Sequence, residues 1–354
     1  MELIPHNERK KTARPNNMRR FAALTCIALI GTGALVGGVV SVPVLLALDV
    51  RQTQNQTVSA APQQFPVTVD PQRKIIVENP TVNAYLDDAN SPLQAAAWNA
   101  QTVFQYVFDW IATSIASASW YQNLGAVDGR FVTVQPGMRK EQVAEAFADS
   151  LGWTNRQKED FLATAGYPLL SVTDGTFSPG VYLVDSNASP AAAETMLDER
   201  FYEDVASHYG TTTQQVVPMS EALNVAALIE REAGGPDDMR IISGIIWNRL
   251  FANMNLQIDA TVQYAKANNP TTTSWWPAVK PKDISQKSPY NTYLNPGLPP
   301  GPIANPSVAA VLAALNPIQT SCLFYFHDAN HQFHCSDTYA EHVALLKKYY
   351  GRGK

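Results

Sequence analysis

A long apolar run near the N-terminus predicts a membrane-spanning helix. Residues 21–48 carry no charged side chain, six lysines and arginines precede the run, and Asp49 follows it. A spanning helix needs about 20 apolar residues, and flanking basic residues mark the cytoplasmic side. We therefore expect a basic cytoplasmic tail over residues 1–20, an uncleaved anchor over residues 21–48 and an extracytoplasmic remainder. A cleaved signal peptide is the alternative, but its apolar core is usually about 7–15 residues long.

The pattern after the anchor divides the exported part into three regions. Residues 49–129 start with a linker rich in Gln, Ser, Thr and Pro that runs to Pro66, and a helical region of unknown role is expected from Ser91 to Gln122. An alternating strand (131–134) and two helices (140–151 and 154–165) follow, in an order that resembles a LysM-like glycan-binding module over residues 130–173. Residues 174–354 form the third region, which begins with a turn and strand over 174–184 and a helix over 191–209.

The segment 220–233 predicts an amphipathic helix with a carboxyl group on its apolar face. Ser220 stands at the N-cap position, and the segment ends before a Gly-Gly-Pro stop. At about 100° per residue, Glu230 falls in the same arc as Leu223, whereas Glu232 points toward water. A carboxyl group held against apolar surface has a raised pKa, and a retained proton is what a general acid needs. A structural Glu230 paired with a nearby arginine is the alternative.

Charge and residue types exclude several function classes. The net charge of −5 leaves no basic surplus for a nucleic-acid partner. The histidines at 327, 331 and 334 lack the helical spacing of a metal site, so we expect neither a metal ion nor a cofactor. Cys322 and Cys335 form a disulfide if the compartment is oxidising; two unpaired buried thiols are the other reading.

Five motifs in a fixed order carry a resemblance to a known family. They are IERE (229–232), NRL (248–250), LQIDATV (256–262), YNTYLNPGLPPGPI (290–303) and EH (341–342). This order resembles the endolytic murein transglycosylases of the YceG-like family over roughly residues 174–350, but not over 51–129. The family's catalytic glutamate corresponds to Glu230. The chain departs from the family pattern at Ala260, where proline is usual, in the DGTFSPGVY string and around residues 331–336.

The resemblance implies a specific reaction. Glu230 would protonate the β-1,4 glycosidic oxygen between N-acetylmuramic acid and N-acetylglucosamine, and the sugar's own C6 hydroxyl would close a 1,6-anhydro end. Because one carboxyl group can act first as acid and then as base, no second acid is required. Side chains of the matching motifs are candidates for contacting the glycan or for bracing Glu230: Asn248, Arg249, Gln257, Asp259, Thr261, Tyr290, Asn291, Tyr293, Glu341 and His342.

The sequence thus predicts an α+β protein with one N-terminal transmembrane helix, a LysM-like subdomain and a mixed α/β catalytic domain of the YceG-like type over residues 174–354. We expect a peptidoglycan lytic transglycosylase, anchored in the cytoplasmic membrane, that ends glycan strands beside the peptidoglycan synthases. Two alternatives stay open. One is a non-catalytic peptidoglycan-binding membrane protein. The other is a hydrolytic muramidase with Asp259 as its second carboxylate, which would leave a reducing end.

Overall fold

The computed structural model describes residues 63–87, 129–164, 166–167, 170, 174–269 and 272–351. The predicted cytoplasmic tail, the predicted anchor and the predicted helical region between Ser91 and Gln122 lie outside these ranges. In the part of the chain that is described, no helix combines the length and the apolar character needed to cross a membrane.

The first described segment belongs to the protein core. Strands β1 (Val69–Asp70) and β2 (Ile75–Ile76) pair antiparallel, and helix α1 (Pro80–Asp87) follows them. Phe65 is buried in the large core, and the Thr68 amide donates to the Leu315 carbonyl at 3.0 Å. The prediction of a linker as far as Pro66 was wrong at its end, because burying an aromatic ring ties this segment to the fold.

A strand–helix–helix–strand unit comes next. It consists of β3 (Gly129–Val134), α2 (Lys140–Leu151), α3 (Asn155–Thr164) and β4 (Gly180–Asp185), and β3 pairs antiparallel with β4 over its whole length. Phe147 and Phe161 stack in its separate small core, with ring centroids 5.9 Å apart. The predicted strand and both predicted helices are confirmed. The partner strand β4, however, comes from beyond the boundary predicted between residues 173 and 174.

Helix α4 (Pro190–Asp204) contributes to two cores. Leu197 packs in the small core of the strand–helix–helix–strand unit, whereas Phe201, one turn later, packs in the large core. A 3-10 turn (Ala206–His208) and helix α5 (Thr211–Val216) follow. The helix predicted over residues 191–209 therefore ends earlier than expected, and its two halves fix the two units against each other.

The large core is built around helix α6 (Met219–Glu232), in which every residue from 222 to 229 is buried. Helix α9 (Val308–Leu315), half of whose residues are alanine, packs along α6, and α7 (Pro236–Phe251) and α8 (Asp259–Ala267) also contact it. Pro218 occupies the N-cap position of α6 without a side-chain cap, so the prediction of a Ser220 cap was wrong. The predicted stop at Gly234 and Gly235 is confirmed, since α7 begins one residue later.

The last part of the chain is a hairpin and a helix. Strands β5 (Phe324–His327) and β6 (Phe333–Ser336) pair antiparallel, and helix α10 (Tyr339–Tyr350) packs on them. A disulfide joins Cys322 and Cys335, which decides between the two states that the sequence left open. His327 and His334 lie on these strands and contact Asp238 and Asp328, respectively.

Candidate active site

Glu230 lies in the last turn of α6, and one residue, Ser307, holds its carboxylate. The Ser307 backbone N–H donates to Oε2 at 2.9 Å, and the Ser307 hydroxyl donates to the same oxygen at 2.6 Å. That hydroxyl also accepts a hydrogen bond from the Ala310 amide, which makes Ser307 the N-cap of α9. Within the described residues Oε1 has no hydrogen-bond partner. The carboxyl group is therefore fixed through one oxygen and free at the other.

The surroundings of Glu230 favour its protonated form. Burial raises the pKa of Glu230 above its usual value, while the two hydrogen bonds from Ser307 and the positive charge of Arg231 lower it. The prediction that Glu230 faces inward is confirmed. The two donors on Oε2 also stabilise the carboxylate that remains after the proton has left. One carboxyl group can therefore serve as an acid and then as a base.

The loop that carries Ser307 runs along α6 and is fixed to it twice. Its first attachment is Asn224, whose side-chain amide donates to the Pro299 carbonyl at 2.7 Å, and Ser307 itself is the second. Gly175, at φ 97°, packs so closely on this loop that a Cβ there would lie 2.9 Å from the Pro302 side chain. The proline-rich segment thus fixes the position of Ser307 relative to the carboxyl group of Glu230.

Asn305 joins this loop to the strand–helix–helix–strand unit. Its Oδ1 accepts from the amides of Gly175 and Phe177, each at 3.0 Å, and its Nδ2 donates to the Met138 carbonyl at 2.9 Å. The residue is fully buried. Sequence reasoning missed both Asn305 and Ser307. The available signal was a serine directly before the apolar run 308–315, which is the pattern of a helix N-cap.

This connection places the turn after β3 beside the acid. Gly137, at φ 78°, donates its amide to the Asn305 carbonyl at 2.8 Å. A Cβ at Gly137 would lie 3.8 Å from Glu230 Cγ and 3.0 Å from Arg231 Nη1. Glycine is suited to this position because it adopts a positive φ readily and has no Cβ to clash with these side chains. Glu230 therefore lies where the strand–helix–helix–strand unit meets the helical core.

Glu232 does not point into water, and that prediction was wrong. The Tyr325 hydroxyl donates to Glu232 Oε2 at 2.8 Å. Burial raises the pKa of Glu232 to about 7, and Asp259 adds to the increase, whereas the bond from Tyr325, the Ala260 amide and His327 oppose it. A helical wheel describes one helix alone, so it could not show that strand β5 covers this side of α6.

Several candidate contact residues are used inside the fold. Asn291 is fully buried and donates to the carbonyls of residues 284 and 286, at 3.0 and 2.8 Å. Thr261 is also fully buried, and its hydroxyl donates to the Ile258 carbonyl at 2.6 Å. Asn248 and Arg249 donate to carbonyls at residues 320 and 323, at 2.7 and 2.6 Å. These four side chains brace the loops around α6.

Glu341 and His342 lie in the first turn of the last helix, α10. Glu341 accepts from the Thr338 amide at 3.1 Å and forms a capping box with that residue at the start of α10. His342 packs between the rings of Phe324 and Phe326, with centroids 5.6 and 5.8 Å away. Both residues thus support the last helix and its packing on the hairpin.

Four other candidates keep some exposure. Gln257 is exposed at φ 51°, and Asp259 is exposed in the first turn of α8. The Tyr293 hydroxyl donates to Asp259 at 2.7 Å. Tyr290 packs on Tyr264 with ring centroids 4.7 Å apart. Of the ten candidate contact residues, these four are the ones whose side chains neither brace backbone carbonyls nor pack at the start of α10.

The chain is similar to named proteins of two bacterial species. The endolytic murein transglycosylase of Bacillus subtilis is 29% identical over 238 residues, which cover 62% of this chain and 64% of that protein. The endolytic murein transglycosylase of Streptococcus pneumoniae D39 is 28% identical over 247 residues, which cover 63% of this chain and 42% of that protein. The chain therefore spans less than two thirds of the length of these relatives.

A solved structure and a family comparison agree with these likenesses. The crystal structure of a YceG-like protein from Listeria monocytogenes matches with a TM-score of 0.53 at 25% identity, over 67% of this chain and 81% of that one. Residues 96–348 match the YceG-like family, so the expectation that the resemblance does not extend over residues 51–129 was wrong for residues 96–129. Since this match covers more than half of the chain, the protein belongs to the YceG-like family.

Proposed function

We propose that the chain is a peptidoglycan lytic transglycosylase that cuts glycan strands internally, between N-acetylmuramic acid and N-acetylglucosamine. The observation that carries the proposal is the carboxyl group of Glu230, which is fixed through Oε2 by Ser307 and unbonded at Oε1. It lies where two structural units meet, a common place for a ligand site. The relatives named endolytic murein transglycosylases support the same class of reaction.

In the proposed reaction Glu230 acts twice. It first gives its proton to the glycosidic oxygen, and the C1–O bond of the muramyl sugar breaks as positive charge develops on C1. The resulting carboxylate, stabilised by the two donors of Ser307, then takes the proton of the C6 hydroxyl as that oxygen bonds to C1. The product is a 1,6-anhydro ring, no water is consumed, and Glu230 regains its proton.

The placement of Asp259 supports a transglycosylase over a hydrolase. A glycoside hydrolase of the usual kind needs a second carboxylate opposite its acid. Asp259 instead accepts a hydrogen bond from Tyr293 and lies close enough to Glu232 to raise the pKa of that residue. Asp259 is thus engaged with Tyr293 and Glu232, and Glu230 has the single protein partner Ser307 within the described residues.

The cellular role follows from the proposed chemistry and anchor. An apolar helix over residues 21–48 would hold the site at the outer face of the cytoplasmic membrane, where synthases extend new strands. The disulfide between Cys322 and Cys335 supports an oxidising compartment. The strand–helix–helix–strand order supports glycan binding by a LysM-like subdomain. Cutting nascent strands there would end their elongation.

The test is mass spectrometry of the fragments that the full-length chain, purified in mild detergent, releases from peptidoglycan. We expect anhydromuramyl ends from the wild type and none from Glu230→Gln. The matched control is Glu199→Gln, which removes a carboxylate from the exposed side of α4. Reducing ends would instead indicate a muramidase. Binding to glycan without any product would indicate a non-catalytic peptidoglycan-binding protein.

A further inference from the structure

Arg231 follows the proposed acid on α6, is partly buried, and makes no side-chain hydrogen bond within the described residues. Its Cζ lies 3.9 Å from the centroid of the Trp276 ring, and its Nη1 closely approaches Gly137. Its Nε is buried and has no hydrogen-bond partner in the structure as described. The described residues also offer it no carboxylate within 4.0 Å.

A nearby arginine shows how this fold otherwise treats such a group. Arg139 is almost fully buried, and its guanidinium donates to Glu141, to the Tyr264 carbonyl and to Asn268. A buried cationic donor without an acceptor costs free energy. Arg231, with its buried Nε unbonded and its guanidinium stacked on Trp276, is therefore free to bind an acceptor supplied from outside the protein.

The guanidinium of Arg231 is oriented before any ligand arrives. The Trp276 indole N–H donates to Gln142 Oε1 on α2 at 3.2 Å, so the strand–helix–helix–strand unit holds the ring in place. A guanidinium stacked on an aromatic face keeps its N–H groups directed outward in its own plane. Both structural units thus contribute to one forked donor beside Glu230.

We propose that Arg231 is a specificity residue that binds the terminal carboxyl group of the C3 lactyl arm on the muramyl sugar, through two oxygens where that group is a free carboxylate and through one where it is an amide. This inference rests on the proposed function, since the muramyl sugar is the one whose C1–O bond Glu230 would protonate. A forked guanidinium matches a pair of acceptor oxygens. The lactyl arm distinguishes N-acetylmuramic acid from N-acetylglucosamine. A glycan without that arm would leave the partly buried guanidinium unpaired, and sites built to hydrogen-bond a substrate group reject analogues that lack it.

The test compares two soluble glycan strands that differ in one charge. In the first, an amidase has removed the stem peptides, so each lactyl arm ends in a free carboxylate. In the second, that carboxylate has been converted to a methylamide. The full-length chain is assayed as wild type, Arg231→Gln and Arg231→Lys. Arg73→Gln is the matched control, because Arg73 is exposed on the turn between β1 and β2.

We expect Arg231→Gln to raise KM on the carboxylate strand by about 10- to 100-fold, the range for losing hydrogen bonds to a charged acceptor. On the methylamide strand the rise should be several times smaller. Arg231→Lys keeps the charge but loses the fork, and should fall between the wild type and Arg231→Gln. Calorimetry in a Glu230→Gln background, with and without Arg231→Gln, should show the same loss of affinity for the carboxylate strand without turnover.

Two results would overturn the inference while leaving the proposed function intact. One is an equal loss on both strands. The other is a lowered kcat with an unchanged KM and a shifted pH profile, which would mean that Arg231 acts only on Glu230. A wild-type chain that releases no anhydromuramyl product from untreated peptidoglycan would overturn the proposed function, and this inference with it.

Discussion

At the scale of single residues, Ser307 and the helix that carries Glu230 together determine the protonation and orientation of the Glu230 carboxyl group. A hydroxyl has one proton to donate and lone pairs to accept with, and Ser307 uses both. It donates to Glu230 and accepts from Ala310, while its backbone amide makes a second bond to the same carboxylate oxygen. The state of the acid is thereby coupled to the N-terminus of α9.

Replacing Ser307 by Ala should change both the rate and its pH dependence. The variant loses one of two bonds to Oε2, and we expect kcat to fall about 10-fold, the effect of losing one charge-assisted hydrogen bond. Since that bond lowers the pKa of Glu230, its loss raises this pKa further. A general acid works while protonated, so the fall in activity on the alkaline side should move to higher pH. Profiles of kcat/KM against pH measure the shift.

Ser307→Thr is the matched control for that experiment. It retains the hydroxyl, the N-cap and both bonds to Oε2, so its alkaline limb should coincide with that of the wild type. Ser307→Ala also loses the cap of α9, at a cost of about 1 kcal/mol in unfolding free energy, which thermal unfolding would show separately. An alkaline limb that stays in place in Ser307→Ala would contradict the assigned role.

At the scale of elements, the β5–β6 hairpin completes the far side of α6. It brings the Tyr325 hydroxyl to Glu232, and the disulfide between Cys322 and Cys335 ties the approach to β5 to strand β6. The two cysteines are 13 residues apart. Closing a loop of that length removes conformational entropy from the unfolded chain. The disulfide therefore stabilises the folded hairpin relative to the unfolded chain.

Breaking this bond should lower the stability of the chain. By the loop-entropy estimate, Cys322→Ser with Cys335→Ser should cost about 3 kcal/mol of unfolding free energy, measurable by denaturant unfolding. Cys26→Ser is the control and should leave stability unchanged. Because the chain has three cysteines, titration of the unfolded, unreduced protein should find one free thiol. Three free thiols would contradict the disulfide.

The elements also show what the sequence could and could not predict. Helices such as 140–151 follow from apolar periodicity, because that signal is local. The residue pattern of the LQIDATV segment indicates a strand or a turn, yet helix α8 begins at Asp259 within this segment. The direction of Glu232 depends on Tyr325, which lies 93 residues later. The inward orientation of Glu230 was thus predictable from the pattern of one helix. Its hydrogen-bond partners come from segments far away in the sequence, and no local pattern indicates that these segments meet.

At the scale of the whole molecule, Asp174 fastens the strand–helix–helix–strand unit to the helical core. Its Oδ1 accepts from the Lys140 amide at 2.6 Å, at the start of α2, and its Oδ2 accepts from the Tyr264 hydroxyl at 2.8 Å, on α8. Burial raises the pKa of Asp174 to about 7, and Glu141 adds to the increase. Together with Glu232, whose pKa is also about 7, it gives the fold two buried carboxyl groups that favour their protonated forms.

These two groups make the unfolding free energy fall as pH rises. In the unfolded chain both carboxyl groups titrate near pH 4, so between about pH 4 and pH 7 the native state binds more protons than the unfolded state. By linkage, each group then lowers stability by up to about 1.4 kcal/mol per pH unit in that window. Burial lowers the pKa of His342, which acts in the opposite direction, while burial raises the pKa of Glu230 and raises that of Asp198 to about 6, and both of these add to the fall.

Asp174→Asn isolates the contribution of the joint between the two units. An asparagine oxygen can accept from the Lys140 amide, and its NH2 group can donate to the Tyr264 hydroxyl, so both contacts persist without a titrating group. We expect melting temperatures similar to the wild type near pH 4.5 and higher than the wild type above pH 7. Asp149→Asn, at an exposed position on α2, should retain the wild-type slope. If Asp174→Asn also retained it, the pH dependence would have to come from carboxyl groups elsewhere, and Asp174 would be ionised throughout the window despite its burial.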